Sequence, residues 1–167
     1  AIYSILQMIA TSAVFAYVIQ YMASKKINAY IRIVTLVFFA LYPPFAMYSI
    51  TMWKDVPFAL TMVLLTIQIM EMVTNNQYFN NKGNLARFAI ISILVILFRN
   101  NGIYVVIITM IAIIIGIKEN RKNVIVLTTG VILFYIVLKG PIFSMFNITN
   151  GPVREALSIP LQQIART

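Results

Sequence analysis

The chain has no cysteine and no histidine among its 167 residues, and only four acidic side chains. Without Cys there are no disulfides and no thiolate nucleophiles. Without His there is no Ser–His dyad and no imidazole ligand for zinc or haem. Charge is scarce as well: Asp, Glu, Lys and Arg make up 10% of the residues, against about 25% in a typical soluble domain. That is too little polar surface to cover a water-facing globule of this size. Chemistry is left to carboxylates, Arg and Lys, amides and hydroxyls.

What is present is apolar. Hydrophobic residues account for 61% of the chain and mean hydropathy is +0.90. This excludes intrinsic disorder, which needs apolar-poor sequence, and makes the chain a membrane protein with the lipid bilayer as its first partner. The net charge of +9 sits in short clusters between apolar runs, with no basic stripe and no nucleic-acid-binding motif. It reads as topology and headgroup charge rather than an affinity for nucleic acid. The chain opens Ala1-Ile2-Tyr3-Ser4, inside an apolar run and without an initiator Met, and no signal-peptide pattern follows. It therefore reads as a slice of a longer protein.

Charge-free intervals mark the organisation. Residues 1–24, 33–53, 56–70, 88–98, 103–117 and 124–138 are apolar runs. Lys25, Lys26 and Arg32, then Lys54-Asp55, the Asn-rich stretch 74–84, Arg99-Asn100-Asn101-Gly102 and the charged turn 118–123 separate them. Backbone in lipid must satisfy its own hydrogen bonds, and the runs do not alternate as barrel strands would. The expected fold is all-α: a polytopic membrane helix bundle of six hydrophobic helices followed by a C-terminal amphipathic helix. Residues 1–138 form the transmembrane region, and 139–167 an extracytoplasmic interfacial segment. The runs 88–98 and 103–117 fall short of the roughly 20 residues of a full span, so they are expected as two short helices meeting at the Arg99–Gly102 turn. Lys139-Gly140-Pro141 is expected to end the last helix.

Counting Lys and Arg on alternate sides gives eight against five, which orients the chain by the positive-inside rule. The loops at 24–32, 71–87 and 118–123 fall on the cytoplasmic side. Lys54, Asp55, Arg99 and the tail fall on the outer side.

Three constellations stand out. Pro43-Pro44 must break the helix ladder of the second run, and Trp53 suits the interface. Asp55 follows at the mouth of the next helix, with Lys54 before it and Pro57 after. It serves either as a helix start or as a carboxylate facing a polar cavity, and the two roles are compatible. Arg99 in its Asn-Gly turn is either an ordinary turn residue or a bidentate partner for lipid phosphate. Asp55 and Arg99 are expected to approach one outer cavity. In the tail, Leu157, Leu161 and Ile164 form one apolar stripe, and Pro160 is expected to break a helix running from about Pro152 to Ile159. Arg154, Glu155, Gln162 and Gln163 would then roof the outer cavity; a plain interfacial anchor is the alternative.

The Pro-containing helix ending in Trp53-Lys54-Asp55, the helix pair joined by Arg99-Asn100-Asn101-Gly102, and the tail VREALSIPLQQIAR together resemble the multi-spanning C-type glycosyltransferase superfamily. The likeness spans residues 33–167 and extends to uncharacterised bacterial membrane proteins grouped with that superfamily. It implies a bacterial, multi-pass cell-membrane enzyme transferring sugar from a polyprenyl-phosphate-linked donor on the outer face. Asp55 matches the family's second acidic position, which helps organise the donor phosphate or a divalent metal. Nothing here matches the main catalytic base, which the resemblance puts upstream of residue 1. Arg99 would neutralise the departing lipid phosphate. No cofactor is certain. A transporter or flippase segment, with Asp55 and the broken helix forming its site, and a non-catalytic membrane subunit remain as alternatives.

Overall fold

The computed structural model describes residues 2–51, 53, 55–75, 77–99, 101–116 and 121–145. The expected tail helix, with Arg154, Glu155, Gln162 and Gln163, lies outside the described residues, as do Lys54 and Asn100. Among those described the chain is all-helical: α1 (Ile2–Ser24), α2 (Ala29–Leu41), α3 (Pro43–Ile50), α4 (Asp55–Thr74), α5 (Lys82–Phe98), α6 (Gly102–Gly116), α7 (Arg121–Val137) and a short α8 (Phe143–Met145). A 3-10 turn at Tyr78–Asn80 precedes α5, and a π-helical turn at Leu138–Ile142 precedes α8. Three helical stretches, Ile2–Ser24, Asp55–Thr74 and Lys122–Pro141, are long and apolar enough to cross a membrane, and the bent pair α2 and α3 makes a fourth if counted as one span.

The turn between α1 and α2 is tight. Lys26 takes φ 56°, the amide of Ile27 reaches the Met22 carbonyl at 3.1 Å and that of Lys26 reaches Ala23 at 3.0 Å. This is a Schellman closure with Lys where Gly is usual. Asn28 then caps α2, its Oδ1 accepting from the Tyr30 amide at 2.9 Å. Because the turn closes so quickly, α2 starts at Ala29, and Arg32 lies in its first turn rather than in a loop running to residue 32.

The 33–53 run is two helices, not one. Tyr42 is extended (φ −75°, ψ 107°), as the residue before a proline prefers, and α2 and α3 bend by 51° there. Aromatic rings fill the bend. Phe15 of α1 stacks on Phe39 with centroids 4.1 Å apart and meets Phe45 edge-on at 5.0 Å. The far end of α3 is held by α1. The Nε2 amide of Gln7 donates to the carbonyls of Tyr48 (2.8 Å) and Thr51 (3.0 Å), satisfying groups that a helix end leaves free.

α4 packs against α1 on one side and α5 on the other, and α5 in turn packs against α6. Leu65, Phe88, Val95, Val106 and Met110 are buried at these contacts. Lipid tails supply no hydrophobic drive for helices to associate, so close packing must do it, and small residues allow it. Ser92 is buried, and Gly102 lies so close to α5 that an added Cβ would collide with the Val95 carbonyl. Large apolar side chains on α1, α2 and α3, among them Leu6, Ile9, Ile31, Leu36 and Ile50, are exposed, as expected where the surroundings are hydrocarbon.

The chain divides into two compact units, residues 1–131 and 132–167. In the second, Lys139-Gly140-Pro141 does not end the helical path as expected. The π turn absorbs Pro141, and the Phe143 amide donates to the Leu138 and Gly140 carbonyls. The wider turn accepts the missing proline N–H, and helix resumes to Met145.

Candidate functional site

α4 and α5 run antiparallel, which brings the start of one to the end of the other. α4 begins at Asp55, with its carboxylate in the first turn, where a negative charge is favoured by the helix dipole. α5 ends at Phe98, and Arg99 leaves the helix in an extended conformation (φ −146°, ψ 131°). The Gly102 amide donates to the Arg99 carbonyl at 2.8 Å, and the close seat of Gly102 against Val95 sets where this turn lies. From it the Arg99 side chain reaches back to α4.

There the guanidinium Nη1 stands 3.2 Å from Asp55 Oδ1. Its carbon lies 5.5 Å from the centre of the Phe58 ring, one turn along α4, so the ion pair rests on an aromatic face. The pair is about half exposed, at 47% and 52%. Such pairs contribute at most about 1 kcal/mol to stability, so folding alone gives little reason for it. A guanidinium carries five N–H donors in a planar fork, and one contact to Asp55 leaves most of them able to take an anion. Trp53, adjacent to this end, lies 5.8 Å from Tyr48 in ring centroids.

Of the residues singled out from sequence, Asp55 and Arg99 are brought together directly; Lys54, Arg154, Glu155, Gln162 and Gln163 lie outside the described residues. No group of three or more acidic side chains that could hold a metal occurs among the described residues. Among the described residues Asp55 has a cation beside it and no second carboxylate, a setting that suits an anion better than a divalent metal.

Sequence reasoning missed a second polar cluster, at the other end of α4. Lys25 pairs with Glu71 at 3.0 Å and donates to Thr74 Oγ1 at 2.8 Å. The Glu71 hydrogen bond holds the Lys25 ammonium above its ordinary pKa. Tyr78, within the Asn-rich stretch expected as a loop, is buried at 1% exposure; its hydroxyl donates to Gln68 Oε1 at 2.5 Å and lies 3.1 Å from the Asn84 carbonyl. Burial pushes the Tyr78 phenol up. Gln68, Glu71 and Asn75 recur at helical spacing along one face of an apolar run, a signal that was there to be read. So was Gln7, an amide inside a charge-free run, which holds the end of the broken helix.

No curated protein and no solved structure matches this chain. A family model does, over residues 1–167. The chain belongs to that family, DUF6020, a family of unknown function.

Proposed function

We propose that this chain is the membrane part of a glycosyltransferase-like enzyme, and that its Asp55–Arg99 end receives the phosphate of a polyprenyl-linked sugar donor. The observation that carries the reading is the 3.2 Å ion pair at the junction of two helix ends. A carboxylate on one side of a guanidinium fixes its plane, and the remaining donors suit the tetrahedral oxyanion of a phosphoester. Phe58 supports the guanidinium from beneath. In transfer, Arg99 would stabilise the negative charge that develops on the departing lipid phosphate, with Asp55 as its positioning residue. The catalytic base would come from outside these residues. On this reading the pair faces the outer side of a bacterial membrane, as the Lys and Arg distribution favours.

The break between α2 and α3 is itself covered by protein, with the rings of Phe15, Phe39 and Phe45 packed into it. Non-helical backbone at membrane depth is tolerated where protein or a wet cavity covers it. The same break favours the transporter reading, since discontinuous helices build such sites.

The experiment is binding and transfer by the full-length protein in nanodiscs, with a polyprenyl-phosphate sugar as probe. Saturable binding that falls tenfold or more in Arg99→Gln supports the reading. Binding unchanged by that substitution contradicts it. Movement of the intact lipid between leaflets without sugar transfer would identify a flippase instead.

A further inference from the structure

We propose that a polar recess at the Lys25–Glu71 end of the bundle binds a phosphate-bearing headgroup, at a site separate from Asp55–Arg99. The recess has a volume of about 370 Å³, within the size range of small-molecule sites. It opens where α1 ends, α4 ends and α5 begins. Tyr17, Gln20, Gln68, Glu71, Tyr78 and Arg87 are among the residues lining it. Glu71 lies sixteen residues beyond Asp55 along α4, roughly 24 Å at about 1.5 Å per residue, so the two ends cannot share one ligand phosphate.

Charge decides what the recess would take. Glu71 is already matched by Lys25 at 3.0 Å. Arg87 lines the recess and has no ion-pair or hydrogen-bond partner among the described residues. With Glu71 neutralised by Lys25, which pairs with it from outside the lining, Arg87 is left as one uncompensated positive charge, the complement of a phosphodiester. The neutral groups lean the same way. Gln68 Oε1 is engaged by the Tyr78 hydroxyl, which leaves the Gln68 amide N–H groups as donors into the recess. Tyr78 itself stays neutral, because burial disfavours its phenolate. An oxyanion ligand would take these donors together with the Arg87 guanidinium. The recess lies where the candidate spans Ile2–Ser24 and Asp55–Thr74 end, and the end of a span is where lipid headgroups would meet it. A soluble phosphoester offers the same chemistry.

The test uses full-length protein in a phosphate-free maltoside detergent, titrated with short-chain phosphatidylglycerol and separately with glycerol 3-phosphate. Saturable binding of at least one probe is expected, weakened tenfold or more by Arg87→Gln. Lys82→Gln, which removes a cation from the start of the same helix but outside the recess, should leave it unchanged. Binding of the lipid alone assigns a headgroup; binding of the soluble probe assigns a free phosphoester. Absence of binding by both, or full binding by Arg87→Gln, overturns the proposal and leaves the Asp55–Arg99 reading standing. Should Arg87→Gln fail to fold, Glu71→Gln takes its place. Removing that negative charge is expected to tighten binding at least twofold, and equal or weaker binding overturns the proposal.

Discussion

Asp55 and Arg99 come from opposite ends of two antiparallel helices and meet with Oδ1 and Nη1 3.2 Å apart. The contact depends on Gly102. Only a residue without Cβ can sit against the Val95 carbonyl, and that seat places the turn from which Arg99 reaches α4.

Gly102→Ala should therefore destabilise the protein by roughly 1–3 kcal/mol, because its Cβ meets backbone that cannot swing away. Gly130→Ala, in α7, is the control: nothing lies within 4 Å of its added Cβ, and removing a helix glycine should stabilise by about 0.5–1 kcal/mol. Thermal unfolding in one detergent compares them. Equal melting temperatures for the two variants would contradict the packing described for the α5–α6 turn.

Gln7→Leu should destabilise by about 1–3 kcal/mol, since it strips the carbonyls of Tyr48 and Thr51 of their donor. The loss is partly offset because Gln7 Oε1, buried with no partner among the described residues, disappears too. Gln7→Glu, which keeps the shape but when ionised has no donor and sets a carboxylate against two carbonyls, should be worse than Leu. A Glu variant as stable as the wild type would show that this amide does not hold α3.

Alkaline pH should weaken the fold through the Lys25 end. Folding raises the pKa of Tyr78 from its ordinary 10.0, chiefly by burial, and that of Lys25 from 10.5, chiefly through Glu71. Groups raised on folding stabilise the native state fully below the unfolded value and lose that contribution as pH climbs through the folded one. Stability should be flat up to about pH 10 and fall beyond it. Phenolate absorbance should show a fraction of the tyrosines resisting ionisation until unfolding, and Tyr78→Phe should reduce that fraction by one phenol. A full complement of tyrosines ionising together in the folded protein would contradict it.

Single-Cys variants at Gln77 and Asn101, both exposed in a chain without native Cys, test the orientation. Asn101→Cys should label from outside intact cells, and Gln77→Cys only after permeabilisation. The reverse pattern would put Asp55 and Arg99 on the cytoplasmic face.

Much of the helical order was legible in sequence, because charge-free runs and a Pro-Pro pair act locally. The break at Tyr42 and the helix starting at Asp55 both follow from proline and charge placement. The pairing of Asp55 with Arg99 could be expected from their common side, but its distance depends on how closely α5 and α6 approach at Gly102, which is a tertiary matter. The burial of Tyr78 was not legible for the same reason. A stretch of Asn, Gln and Lys looks solvated, yet Gln68 on a neighbouring helix supplies the acceptor that lets one phenol be buried. The π turn at Leu138–Ile142 was illegible because Lys-Gly-Pro ends most helices, and only the wider hydrogen-bond pattern lets this one continue.

The most direct test of Arg99 as a phosphate-binding residue, rather than half of a structural pair, is a charge swap. Asp55→Arg combined with Arg99→Asp can rebuild the ion pair in reverse, and it should melt within about 1 kcal/mol of the wild type, since exposed pairs contribute little. Binding of a polyprenyl-phosphate sugar by that variant in nanodiscs is the measurement. The expected result is a loss of tenfold or more, because the guanidinium then projects from α4 instead of the α5–α6 turn. Wild-type affinity in the swapped protein would contradict the assignment.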